Sequence, residues 1–120
     1  MIMKSLAPEI FRQRLLIEGF YKRNVNEKVI ETFFKNITKK LKLKIYSKPI
    51  IFSPAGTGKK ENQGYDAFVP LIDSGISVYV WSNAKFLSAV LYTCKGFDEK
   101  GAIDFTKKFF KIEIIQSKSF

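Results

Sequence analysis

Between Ile76 and Trp81 apolar and polar positions alternate: Ile76, Val78 and Val80 fall on one side, Ser77, Tyr79 and Trp81 on the other. A period of two belongs to a strand with one buried face. A second strand is predicted over about Phe86–Cys94, and the tight Asp73-Ser74-Gly75 corner leads into the first. Earlier in the chain the period changes. Val29, Ile30, Phe33, Phe34, Ile37 and Leu41 recur at helical spacing, with Lys28, Lys35 and Lys39 on the opposite side. Asn26 is a suitable N-cap for this helix, and Glu27 in the first turn suits the dipole.

The remaining segments follow the same logic. Phe11–Tyr21 is rich in strand formers, and its Leu15-Leu16-Ile17 run predicts burial on both sides at the centre. Leu43–Phe52 is read as a strand that Pro49 places near an edge or bulge, and Tyr65–Ile72 as another in which Pro70 signals an irregular edge. Asp98 is expected to cap a second helix from Glu99 to about Phe109, burying Ala102, Ile103, Phe105 and Phe109, before a closing strand over Lys111–Gln116. Met1–Pro8 has no period and reads as a loose arm; Ser53–Gly64 reads as a polar loop. Gly58-Lys59 echoes the end of a P-loop, but Ser53 stands where the first glycine belongs and Lys60 where Ser or Thr belongs. The order is therefore β-α-β-β followed by β-β-α-β. It predicts an α+β two-layer sandwich, one antiparallel sheet with both helices on one face.

Composition narrows the classes. A chain of 120 residues fits a single domain, residues 1–120, and 46% hydrophobic residues with twelve Phe argue against disorder. No apolar run reaches the roughly 18 residues that span a bilayer, and no signal-peptide core opens the chain, so a soluble cytoplasmic protein without a membrane partner is expected. A single cysteine and no histidine exclude an internal disulfide and argue against a zinc site, so no metal is expected. The net charge of +10 has two readings, attraction to an anionic partner or a solvated lysine surface. The lysines spread along the whole chain, which favours the second.

One stretch carries candidate chemistry. Asp73-Ser74-Gly75-Ile76-Ser77-Val78-Tyr79-Val80-Trp81, then Val90-Leu91-Tyr92-Thr93-Cys94, resembles the small prokaryotic S-adenosylmethionine decarboxylases that make their own pyruvoyl cofactor; Phe52-Ser53-Pro54-Ala55-Gly56 looks like the family's Phe-x-Pro-x-Gly segment. The resemblance implies cleavage between Asp73 and Ser74, with Ser74 becoming the pyruvoyl group. That group's ketone condenses with the substrate amine and acts as electron sink as carbon dioxide leaves. It implies that Cys94 returns the proton, a task suited to a thiol. It also implies that Phe52 and Trp81 flank the adenine of S-adenosylmethionine, that Asn83 stands where the family has an acidic ribose contact, and that Ser77 belongs to the substrate-binding strand. Tyr79 occupies the position where the family has a histidine that assists processing. A homodimer with sites built from both protomers, and a role in spermidine and polyamine biosynthesis, are further implications.

Plainer readings compete. Ser74 suits a turn, Cys94 suits a core position at a strand end, and Tyr79 suits cross-strand packing. A homologue that never processes, or one acting on another amino acid such as arginine or ornithine, is the runner-up. An RNA-binding module ranks below both: two helices on a sheet, basic charge and Lys95-Gly96-Phe97 favour it, but Asp98 and Glu99 depart from the RNA-recognition pattern, so nucleic acid is not the expected partner.

Overall fold

The structure is a computed structural model that describes residues 4–53 and 63–120. Its elements are β1 (Gln13–Phe20), α1 (Glu27–Leu41), β2 (Ile50–Phe52), β3 (Gly64–Leu71), β4 (Ser74–Trp81), β5 (Phe86–Thr93), α2 (Glu99–Phe110) and β6 (Ile115–Ser119). The strands form one sheet in the order β2-β3-β4-β5-β1-β6. Every neighbouring pair is antiparallel. The predicted α+β sandwich and element order are what the structure has.

Each helix begins and ends for a local reason. The Asn26 side chain accepts a hydrogen bond from the Val29 amide at 2.9 Å, and Asp98 accepts one from Gly101 at 3.1 Å. Both helices stop where a lysine, Lys42 or Lys111, turns left-handed, and the following amides of Leu43 and Ile112 fold back onto Thr38 and Lys107 carbonyls. One face of the sheet then takes the helices. Leu15, Ile17, Val69, Ile76, Val78, Leu87, Ala89 and Leu91 are buried against Ile30, Phe33, Phe34 and Ile37 of α1 and Ala102 and Phe110 of α2. Phe33 joins the two helices, its ring centroid lying 4.8 Å from Phe110 and 5.4 Å from Phe109. The opposite sheet face has no helix on it.

Five expectations change. Leu15 and Ile17 are buried but Leu16 is only half-buried, because β1 has a covered side and an open one. Leu43–Phe52 forms a strand only over Ile50–Phe52, with an isolated bridge from Ile45 to Leu71, because Pro49 interrupts the ladder. Pro70 does not mark an edge: β3 lies between β2 and β4. Its carbonyl accepts from Tyr46, so the missing donor faces the side where β2 has already ended. The buried line of α2 runs through Ala102, Thr106 and Phe110, with Ile103, Phe105 and Phe109 half-buried. Thr106 fits there because its hydroxyl donates to the Ala102 carbonyl at 2.8 Å. The last strand is Ile115–Ser119, since residues 111–114 carry the chain from the helix layer to β1 and bury Ile112 on the way. The first three residues of the predicted arm, most of the predicted Ser53–Gly64 loop and Pro54-Ala55-Gly56 lie outside the described residues.

Candidate active site

β3 and β4 are joined through Ile72 and Asp73, with Asp73 in the left-handed region at φ 58. This short turn fixes the register: Leu71 faces Ser74, and Ser74 faces Thr93 of β5. Ser74 is thus the first residue of β4, just past the corner. Beyond Thr93 the chain bends, the Thr93 hydroxyl donating to the Lys95 carbonyl. That bend brings the Cys94 amide to 3.1 Å from Ser74 Oγ, to which it donates. Twenty residues apart in sequence, the serine and the only cysteine meet at one end of the sheet. Cys94 is exposed, so the reading of it as a core residue does not hold.

Two depressions adjoin this corner. One of about 240 Å³ is lined by Leu43, Lys44, Leu71, Ile72, Asp73, Cys94 and Lys95. The other, of about 350 Å³, lies on the open sheet face between Phe68, Ser74, Ser77, Val90 and Tyr92. Asp73 lines both.

The other predicted residues stand elsewhere. On the open face, pairing sorts side chains into rows across the strands. Phe52 faces Asp66, Asp66 faces Tyr79, and Tyr79 faces Ser88; one row nearer the corner come Ile50, Phe68, Ser77 and Val90. Farther away Trp81 leans on Phe86, ring centroids 5.5 Å apart, and Phe86 on Phe20 at 5.2 Å. Asn83 is in the turn after β4. At about 3.4 Å per strand residue, Tyr79 is about 17 Å from Ser74 of its own chain and Trp81 about 24 Å. The structure therefore brings Ser74 to the Cys94 backbone and sets Ser74 and Ser77 on one depression, and in one chain it does not bring Tyr79, Phe52, Trp81 or Asn83 to Ser74. Tyr79 is 39% exposed.

Sequence reasoning missed Asp66, the residue opposite Tyr79, and Phe68 and Tyr92, which wall the serine's depression. Counting outward positions on Tyr65–Ile72 would have found Asp66 and Phe68. It also missed Tyr21, buried at the end of β1, whose phenol is pushed above its ordinary value of 10.0. Burial is the main cause, the nearby Tyr65 adds to it, and a hydrogen bond with Ser82 opposes both.

An open antiparallel sheet backed by two helices, with a serine hydroxyl held by a cysteine's backbone amide at one end, defines the class: an α+β sandwich with candidate serine-derived chemistry at a strand terminus. The chain belongs to the S-adenosylmethionine decarboxylase family, whose sequence model matches residues 19–120. Among solved structures it is similar to the crystal structure of the adenosylmethionine decarboxylase from Aquifex aeolicus VF5, with a TM-score of 0.71 and 16% sequence identity. That similarity covers 92% of this chain and 89% of the other. At this identity it shows the fold. No match was found among curated proteins. Among the described residues no helix is long and apolar enough to cross a membrane.

Proposed function

We propose that this protein is a pyruvoyl-dependent decarboxylase of S-adenosylmethionine that makes its cofactor by cleaving between Asp73 and Ser74 and acts in polyamine biosynthesis. The observation that carries this reading is the 3.1 Å hydrogen bond from the Cys94 amide to Ser74 Oγ. The corner also fits a pyruvoyl precursor. Asp73 is held left-handed at φ 58, which costs a residue with a Cβ about 1–2 kcal/mol, and breaking the next peptide releases it.

In processing, Ser74 Oγ attacks the Asp73 carbonyl carbon. The peptide C–N bond breaks as the ester forms, and the proton moves to the freed amine. Loss of the Ser74 α-proton expels Asp73 as a carboxylate, and addition of water with release of ammonia leaves the pyruvoyl ketone. A pyruvoyl group at Ser74 would supply a ketone for the substrate amine and an electron sink for the loss of carbon dioxide. Cys94 Sγ, beside the same strand end and open to solvent, holds the proton for the substrate α-carbon. Ser77 and Tyr92 bound the space the substrate occupies.

The separation of about 17 Å between Ser74 and Tyr79 supports a site shared by two copies, in which Tyr79, Trp81, Asn83 and Phe52 of one chain serve Ser74 of the partner subunit. The uncovered sheet face, with Phe52, Phe68, Tyr79 and Tyr92 all exposed, supports a homodimer. The same face argues against RNA: β2 to β5 contain no Lys or Arg to meet phosphates. One observation favours the runner-up, a homologue that does not process: the chain has no histidine, and Tyr79 holds the family's histidine position.

Intact mass of freshly purified protein under denaturing conditions separates the two. The decarboxylase reading requires two fragments, Met1–Asp73 and a Ser74–Phe120 piece with a blocked N-terminus, and a single chain for Ser74→Ala. An uncleaved chain that persists on long incubation overturns it.

A further inference from the structure

Across the four strands β2, β3, β4 and β5 only one residue carries a formal charge, and it is an acid: Asp66. The protein as a whole is strongly basic, at +10. Asp66 faces outward on the sheet side without helices, directly between Phe52 and Tyr79. A depression of about 210 Å³ is lined by Ile50, Phe52, Asp66, Ala67, Phe68 and Tyr79. That is smaller than the roughly 300–1,000 Å³ of a complete small-molecule site; it suits one end of a ligand. Among the described residues no lysine or arginine forms an ion pair with Asp66; the pair they form is Lys22 with Glu113, both well exposed.

We propose that Asp66, with the rings of Phe52 and Tyr79, forms a subsite for an organic cation. A carboxylate supplies a point of opposite charge, and aromatic faces within about 6 Å attract a cation through their quadrupole. A weakly hydrated cation such as a sulfonium or guanidinium gains from both, whereas a neutral ligand gains from neither. Beyond Asp66 there is no competing charge on this stretch of sheet, so the subsite reads the sign of what enters. The identity of the ligand rests on the decarboxylase reading; the subsite itself does not. Asp66 is about 17 Å along β3 from Leu71, the residue facing Ser74. The charged atom of an amino-acid substrate lies only a few bonds from its α-carbon, so this subsite belongs with Ser74 of the partner subunit.

The test is calorimetric titration of the full chain carrying Ser74→Ala, in which no turnover consumes the probe, with S-adenosylmethionine and with S-adenosylhomocysteine, its neutral thioether. L-Arginine is the third probe. The sulfonium is expected to bind about tenfold tighter than the thioether. Adding Asp66→Asn, an exposed and near-isosteric change, removes most of that ratio, and Asp66→Glu retains it. Asp66-dependent binding of arginine, with no discrimination between the adenosyl compounds, supports the subsite and overturns S-adenosylmethionine as the substrate. An uncleaved wild-type chain with the sulfonium ratio intact overturns the pyruvoyl reading alone. The proposal falls if Asp66→Asn leaves every ratio unchanged, or if it alters only dimer dissociation, which makes the carboxylate an intersubunit contact.

Discussion

Gly75 and Gly64 lie in neighbouring strands, and adding one methyl group to each has opposite expected results. A Cβ on Gly75 would sit 2.5 Å from Phe68 Cε1 and 2.7 Å from Cζ. Ordinary contact begins near 3.4 Å, so the ring has to retreat by about 1 Å. Phe68 is 41% exposed, so its ring can swing into solvent. The cost of Gly75→Ala is then an off-rotamer adjustment and some lost contact, about 1 kcal/mol. On Gly64 the same Cβ would meet the Val80 carbonyl oxygen at 1.8 Å. That obstacle is backbone within the β3–β4 ladder, and relieving it breaks strand pairing at a cost of about 3 kcal/mol or more. Urea unfolding followed by circular dichroism measures both. Phe68 also walls both the Ser74 depression and the Asp66 depression, so Gly75→Ala should slow self-cleavage in an intact-mass time course although the fold persists. Equal losses for the two variants, or a Gly75→Ala protein as damaged as Gly64→Ala, would refute the claim that side-chain mobility separates them.

Phe33→Ala removes a fully buried ring that touches Phe34, Phe105, Phe109 and Phe110, and should cost about 3–5 kcal/mol in urea unfolding; a loss under about 1 kcal/mol would mean that the helix pair does not depend on it. Tyr21 makes stability depend on alkaline pH. Its folded pKa is raised above the unfolded 10.0, so its contribution is complete below pH 10 and is lost as pH rises through the folded value. Stability against pH should therefore fall more steeply above 10 for the wild type than for Tyr21→Phe, and parallel curves would show the phenol ionising equally in both states. A shared site makes chains complement one another. Tyr79→Phe alone should cleave slowly, and co-expression with Ser74→Ala, which supplies an intact Tyr79, should restore cleavage of the Tyr79→Phe chain; no restoration would confine Tyr79's action to its own chain.

Period and capping carried much of the fold. The alternation of Ile76, Val78 and Val80 with Ser77, Tyr79 and Trp81 determines which side of β4 is buried, because burial is what that alternation encodes. Asn26 and Asp98 mark their helix starts because their side chains answer amides three residues on. What stayed hidden depends on partners distant in sequence. Phe105, Phe109 and Phe110 define two overlapping faces of α2; all three rings touch Phe33, yet only Phe110 is fully buried. Pro70 looks like an edge residue until Tyr46 is seen occupying the side where its donor is missing. The site divides along the same line. The spacing of Ser74 and Cys94 became a contact because one tight turn and one strand pair set it, both short-range in the chain. Tyr79, by contrast, shares a strand with Ser74, and an extended backbone keeps residues of one strand apart whatever their neighbours do. The family resemblance gathers these residues into one site, but strand geometry keeps Tyr79 about 17 Å from Ser74 within one chain. That separation, more than the exchange of histidine for tyrosine, is what the proposed shared site has to bridge, and complementation between Tyr79→Phe and Ser74→Ala chains tests whether a second copy bridges it.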